Sequence, residues 1–406
     1  MMVAMATLAL VLAGCGPQVG DTTFVVSSDP DLKERVGQLL PELAQRAGME
    51  LTRPLRVERR SREQLEGYLR AKLDEEFPPE EADLLTRSYA LLGLIDGDLD
   101  LRSILLSVYT EQVAGFYEPD SMALFVMDDM ALEMQQTVLI HELVHAVQDQ
   151  TANLDSLTAK VRGNDRQSAA QAAIEGHATL VMLEYVAEQL RGEPVDFSQL
   201  PDFSSALRPA LEGMRNQYPA LASAPAIIQE ALLFPYLEGA SFMAALWQGD
   251  ESRPAPFGVN LPQSTEQVLD PDKARGGESW DPPTELRVTP QGAYSVAYEN
   301  TMGQAESRIF LEEHLGVDAK DLAQGWDGDR YLLLLGPEGQ DALVWASVWD
   351  SQEARDRFVE GLRPALPQME VPGSLEAVPL FGRPGAILVM GTQGEVPVLV
   401  EEVVAR

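Results

Sequence analysis

Apolar positions recur along the chain with two different periods, and they divide it into a long, mainly helical part and a shorter part that mixes strands with helices. Leu32, Val36, Leu39, Leu40 and Leu43 repeat at helical spacing. Asp29-Pro30 ahead of them offers a cap and a first-turn proline, so a helix is predicted over 31–47, with Pro41 as a point of kinking. PLRVER at 54–59 alternates as a strand does, and Ser61-x-x-Gln64 reads as a capping box opening a helix over 61–73. Pro78-Pro79 separates that helix from another over 80–95, and 101–109 is also helical in pattern. Val113–Tyr117 and Ala123–Met127 flank Glu118-Pro119-Asp120-Ser121, a strand–turn–strand signal. Long helices are expected over 130–150, 164–190 and 224–247, the last interrupted near Pro235. Residues 249–288 are rich in Pro, Gly and acidic residues and read as loop. Beyond them lie a helix near 303–315, strands at 331–335 and 342–349 around Gly336-Pro337-Glu338-Gly339, a helix over 352–362, and β-rich stretches at 384–391 and 396–404. This pattern predicts an α+β protein, with a mainly helical domain carrying a small sheet over 31–285 and a C-terminal α+β domain over 286–406.

The first residues have a different character. From Ala4 to Ala13 the run is apolar except for Thr7. It is too short for a membrane span, which needs about 20 residues, and has the length of a signal-peptide core. Leu12-Ala13-Gly14-Cys15 follows and resembles a bacterial lipobox, although no Lys or Arg precedes the apolar run. The expectation is a signal segment over 1–15, a lipid on Cys15 and a polar tether over 16–30. The chain would then be anchored to a membrane of the bacterial cell envelope without crossing it. Thirty basic residues against sixty-four acidic ones give a net charge of −34, which repels a phosphate backbone and argues against nucleic acid as a partner. Cys15 is the sole cysteine, so an internal disulfide and a Cys-built zinc site are both excluded.

The candidate chemistry centres on histidine. His141-Glu142-Leu143-Val144-His145 puts two imidazoles one turn apart on a helix free of Gly and Pro, with a carboxylate between them. Such a pair can hold one zinc ion, and the Glu is placed to polarise a water on it. A third ligand is needed. The spacing with a further histidine at position 151 and a glycine at 148 is absent, since Thr151 and Gln148 stand there. Glu175 and His177 remain on the next long helix. They lie two residues apart, about 200° around a helix, so only one can face the metal. The face of Glu175 carries Ala172 and Ala178, small enough for two helices to approach. That of His177 carries Ala173, Ile174, Leu180 and Val181, a core-like stripe. Periodicity alone favours Glu175 modestly.

HExxH followed tens of residues later by a helix bearing a ligand Glu resembles the gluzincin arrangement. More closely, the chain resembles an uncharacterised group of bacterial zincin-like lipoproteins. The resemblance rests on EQVAGFYEPD (111–120), HELVHAVQDQ (141–150), AIEGHATLV (173–181), FPYLEGASF (234–242), STEQVLDP (264–271), GWDGDRY (325–331) and ALVWASVWDS (342–351). It implies one zinc ion per chain on His141, His145 and Glu175, Glu142 as general base, and hydrolysis of a peptide or protein substrate. The group commonly has an acidic residue where this chain has His177. Gluzincins often supply an oxyanion donor from a Tyr or His well after the ligand Glu. Tyr236 fits that habit, and Tyr117 on the expected edge strand is an alternative. The hairpin over 113–127 would hold an extended substrate by strand addition. Asp149 and Thr179, each one turn beyond a ligand, are candidates to orient the ligands from behind. The rival expectation is a non-catalytic envelope lipoprotein using the same scaffold for binding or structure, which has no need of Glu142. No chemical role follows for Ser264-Thr265-Glu266-Gln267. Trp326, Trp345 and Trp349 read as core, and His314 as structural.

Overall fold

A computed structural model describes residues 22–129, 136–159, 163–200, 203–215, 218–392 and 396–403. The signal segment, Cys15, the first part of the tether and the stretch around Met130 and Met134 lie outside the described residues. In chain order the elements are β1 (Val25–Val26), α1 (Pro30–Arg46), β2 (Leu55–Arg60), α2 (Arg62–Glu76), α3 (Pro79–Leu91), α4 (Leu101–Gln112), β3 (Gly115–Glu118) and β4 (Ala123–Met127). There follow α5 (Gln136–Thr151), α6 (Leu154–Leu157), α7 (Asn164–Arg191), α8 (Phe203–Arg215), α9 (Pro219–Ser223), α10 (Ala226–Trp247) and α11 (Thr265–Leu269). The remainder is β5 (Leu286–Pro290), β6 (Ser295–Asn300), α12 (Gly303–Leu315), β7 (Trp326–Leu335), β8 (Asp341–Trp349), α13 (Gln352–Leu362), β9 (Gly373–Leu380), β10 (Arg383–Met390) and β11 (Val398–Glu402). The α+β class read from the sequence is the class observed. Among the described residues no helix is long and apolar enough to cross a membrane.

Local signals explain most boundaries. Asp29 caps α1 by accepting from the amides of Asp31 and Leu32, and Ser61 with Gln64 forms the complete capping box of α2. The first sheet runs β1-β2-β4-β3, with β3 antiparallel to β4 at its edge. Alternation splits the hairpin between two cores. Tyr117, Leu124 and Val126 join α1 and α5, whereas Phe116, Phe125 and Met127 pack with Leu65 and Leu69 of α2. The second sheet runs β6-β7-β8-β10-β9, all antiparallel, and β11 pairs with β5 in a two-stranded layer. Tyr331, Leu343, Trp345 and Trp349 face one core, while Leu332, Leu334, Ala342, Val344, Ala346 and Val348 face another with β5. A sheet covered on both faces explains why LLLL and ALVWASVW lack a polar side. The first of these two cores also takes in Tyr89, Val108, Leu221, Ile227, Tyr236 and Leu237, so apolar packing is continuous across position 285.

Several elements depart from the sequence pattern. α10 runs unbroken through Pro235, because its almost wholly apolar surface is held along α7 and other neighbours, and packing outweighs the one lost amide donor. The short helices α6, α8, α9 and α11 and the strands β5, β6 and β9 were not evident in the pattern. β10 and β11, adjacent in sequence, belong to different sheets.

The amino ends of α7, α11 and α12 converge where the helical part meets the second sheet. Asp165 Oδ1 accepts from the Thr265 amide at 3.0 Å and its hydroxyl at 2.5 Å, and Thr265 Oγ1 accepts from the Ala305 amide at 3.0 Å. Asp329 accepts from the amides of Met302 and Gly303, both at 3.0 Å, and from the Trp326 indole at 2.9 Å. Glu306 accepts from Asn164 Nδ2 at 2.6 Å and from the Tyr89 hydroxyl at 3.2 Å. Helix amino ends attract negative charge, and each carboxylate here serves a helix other than its own or a side chain brought from elsewhere. Gly303, at φ +67°, is required by space as well, since a Cβ there would lie 1.8 Å from Asp165 Oδ1. Beside this junction Lys273 Nζ binds Glu266, Asp281 and Asp350 at 2.6, 2.8 and 2.6 Å, tying α11 to the end of β8. Ser264-Thr265-Glu266-Gln267 therefore has a structural assignment: it mortars the two parts together.

Burial pushes the junction carboxyls up, Asp165 to about 7, Glu306 to about 8 and Asp329 to about 6. A raised carboxyl pKa means that the folded chain binds protons the unfolded chain has released, so stability falls as pH rises from the unfolded value towards the folded one. For Asp165, raised from 3.8 to about 7, the loss across that span is at most about 4 kcal/mol. The thermal unfolding midpoint should fall between pH 5 and pH 8. Asp165→Asn, which keeps an acceptor for Thr265, should give a visibly shallower fall; an unchanged slope would refute this account.

Candidate metal centre

α5 presents His141 and His145 one turn apart, and α7 brings Glu175 against them. His141 Nε2 and His145 Nε2 are 3.0 Å apart, and Glu175 Oε2 is 3.0 Å from the first and 3.2 Å from the second. Three donor atoms thus form a nearly equilateral triangle. A tetrahedral zinc ion with ligands at about 2.0–2.1 Å has ligand–ligand edges of about 3.3–3.4 Å, so the triangle fits one face of such a site after slight expansion. The donor set, two imidazoles and a carboxylate with no thiolate, also suits zinc. The second oxygen of Glu175 and Oε1 of Glu142 are buried without hydrogen-bond partners, which a fully satisfied protein interior does not leave. Among the described residues, His141, His145 and Glu175 form one of two groups that could hold a metal ion. The other, Glu266, Asp281 and Asp350, already surrounds the Lys273 ammonium.

Electrostatics follow from burial. His141, Glu142, His145 and Glu175 are each at most 1% exposed. Burial opposes ionisation of Glu175, but the two imidazoles outweigh it and hold the carboxyl at about 2. Burial pushes Glu142 up to about 8, against the pull of His145. For His145, burial is overcome by the charge and hydrogen bond of Glu175, which raise it to about 9. The edge strand addresses the same group. The Tyr117 amide donates to Glu142 Oε2 at 2.7 Å, fixing one carboxylate oxygen and leaving the other free.

The remaining sequence candidates are placed as follows. His177 does not meet the ligands. Its ring lies behind Gln148 and edge-on to Trp247, and burial drives it down to about 3, so it is neutral. Asp149 turns away, accepting from the Tyr117 hydroxyl at 2.8 Å and from Arg53 at 2.8 Å. Thr179 Oγ1 is buried without a partner and touches no ligand through a hydrogen bond. Tyr236, on α10, brings its ring to 5.9 Å from that of His141, so it lies at the centre, whereas the Tyr117 hydroxyl is committed to Asp149. Gln148, which the sequence offered only as the mismatch to a glycine, turns out to accept from His145 Nδ1 at 2.7 Å. Its signal was available: it lies one turn beyond His145 on the same face.

Two glycines set the position of Glu175 and Tyr236. α7 and α10 cross with their backbones in contact at Gly176 and Gly239. A Cβ on Gly176 would lie 2.0 Å from the Gly239 carbonyl carbon, and a Cβ on Gly239 would lie 2.0 Å from the Ala172 oxygen. These are the glycines of the EGH and LEG segments, each next to or one turn from a residue of the centre.

Residues 97–205, which include His141, Glu142, His145 and Glu175, match the model of the Putative metallopeptidase family (DUF6782). That match is consistent with a metallopeptidase. Tyr236 lies beyond the matched segment. Residues 293–379, in the second sheet, match a Domain of unknown function (DUF8575). No curated protein and no solved structure matches the chain.

Because the two backbones touch, Gly176→Ala or Gly239→Ala should separate the helices and destabilise the fold by at least about 3 kcal/mol, the upper range for overpacking. Gly67→Ala, exposed inside α2 with nothing within 4 Å of the added carbon, should instead be neutral or gain up to about 1 kcal/mol. Chemical denaturation of the three variants distinguishes these outcomes, and equal effects at the three sites would contradict the crossing.

Proposed function

We propose that the chain is a zinc metallopeptidase of gluzincin type, tethered to the cell envelope by a lipid on Cys15, with His141, His145 and Glu175 holding the ion. The observation that supports this most is the triangle of three donor atoms with a partnerless carboxylate oxygen of Glu142 beside it. A zinc ion in that group would supply Lewis acidity, lowering the pKa of water at the site towards neutrality and polarising a substrate carbonyl.

The protein's own part is proton handling and orientation. Glu142 keeps Oε2 on the Tyr117 amide, takes the proton of the attacking water at Oε1 and gives it to the leaving amine. Its burial suits the first of these steps, because a carboxylate whose pKa is raised towards neutrality is a stronger base and takes up a proton more readily. The Tyr236 hydroxyl donates to the oxyanion as it forms. β3, at the edge of its sheet and hydrogen-bonded to Glu142, aligns an extended peptide by its backbone. The core of the second sheet, continuous with α10, holds Tyr236 against the centre.

Glu142→Gln should retain about one zinc per chain and lower turnover of a cleaved peptide by at least about a hundredfold, while Glu175→Ala should lose the zinc. Metal content by atomic emission, read beside peptide cleavage, tests both. A Glu142→Gln protein as active as the parent would refute the peptidase reading.

A further inference from the structure

Behind the ligands lies a polar assembly that the ligand set itself does not require. Gln148 is fully buried. Its amide makes three hydrogen bonds: to His145 Nδ1 at 2.7 Å, to the Ile174 carbonyl at 2.9 Å and to His177 Nδ1 at 2.9 Å. We infer that Gln148 is the positioning residue that presents His145 Nε2 to the metal, and that His177 in turn fixes Gln148. This rests on the zinc-centre reading and extends it to residues that touch neither metal nor substrate.

Donor and acceptor chemistry permits one arrangement. A carboxamide has an oxygen that only accepts and a nitrogen that only donates. A backbone carbonyl only accepts, so the Gln148 nitrogen must face Ile174 and its oxygen must face His145. His145 therefore carries hydrogen at Nδ1, and Nε2 is the atom left for an ion, directed at the triangle with His141 and Glu175. The second amide hydrogen needs an acceptor, and His177 Nδ1 supplies it. His177 is itself held by Trp247, whose indole donates to the Pro254 carbonyl at 3.0 Å and carries Arg253 over its ring. The assembly has a geometric effect as well. Ile174 immediately precedes Glu175, so one amide bonds a ligand on α5 and the backbone next to a ligand on α7. It sets the register between the two helices that share the metal.

The test uses the full-length chain purified in detergent, with zinc as the probe, and competition against a chromophoric chelator to obtain the dissociation constant. Gln148→Leu should weaken zinc binding by about 10- to 100-fold, the usual cost of removing a partner behind a metal-bound histidine. In the zinc-loaded protein it should abolish the slowly exchanging downfield proton signal of the His145 ring N–H, which a purely space-filling role would leave unaltered. His177→Asn puts an amide oxygen where Nδ1 stood and should bind zinc nearly as the parent does, whereas His177→Leu should weaken it. Unchanged affinity and an unchanged ring signal in Gln148→Leu would overturn the assignment while leaving the zinc centre standing. If Gln148→Leu fails to fold, equal affinities of His177→Asn and His177→Leu overturn it instead. A parent chain that takes up no zinc overturns the centre and this inference together.

Discussion

The contact on which the centre depends is the crossing of α7 and α10 at Gly176 and Gly239, where backbone rests on backbone. Glu175 stands next to one glycine and Tyr236 less than a turn before the other. Any side chain at the crossing would push Glu175 away from the imidazoles of α5 and Tyr236 away from His141. The triangle of donor atoms is therefore a product of close packing between helices rather than of loop conformation. Its edges of 3.0–3.2 Å would not survive a shift of an ångström.

A second constraint acts at the far end of α7. There, three helices point their amino ends at one region, where Asp165 and Asp329 accept from the amides of α11 and α12 and Glu306 accepts from the Asn164 side chain at the start of α7. α7 is thus held at both places that matter, by a steric lock beside Glu175 and by a polar one at its start. The second sheet contributes to the polar lock through Asp329 and α12, which links a region distant in sequence to the placement of Glu175 beside His141 and His145.

Much of this was legible in the chain, and the reasons are physical. HELVH on an uninterrupted apolar helix requires both histidines on one side, and the structure has them there. Periodicity favoured Glu175 over His177 because small residues flanked the first and core residues the second; the structure puts Glu175 in the triangle and His177 behind Gln148. The capping box at Ser61 and the hairpin around Pro119 were equally readable, being local. What was not readable depends on distant partners. Pro235 reads as a break until α7 is known to support α10 from the side. Gln148 is an ordinary polar residue until Ile174 and His177 arrive, and Ser264-Thr265-Glu266-Gln267 has no meaning without Asp165 and Lys273. The separation of β10 from β11 depends on β5, more than a hundred residues upstream.

The shared core has a consequence for biogenesis. Tyr89, Ile227 and Tyr236 share their apolar environment with Trp345, Phe358 and Met390, and the last strand, Val398–Glu402, closes the layer begun by Leu286–Pro290. A growing chain that has emerged only as far as α10 has the smaller part of that interior and nothing to cover it. That interior closes only once α12, β7, β8, α13 and β10 are present. The core around α1, α5 and α7 draws only on residues up to Val268, so the two interiors can close one after the other in chain order.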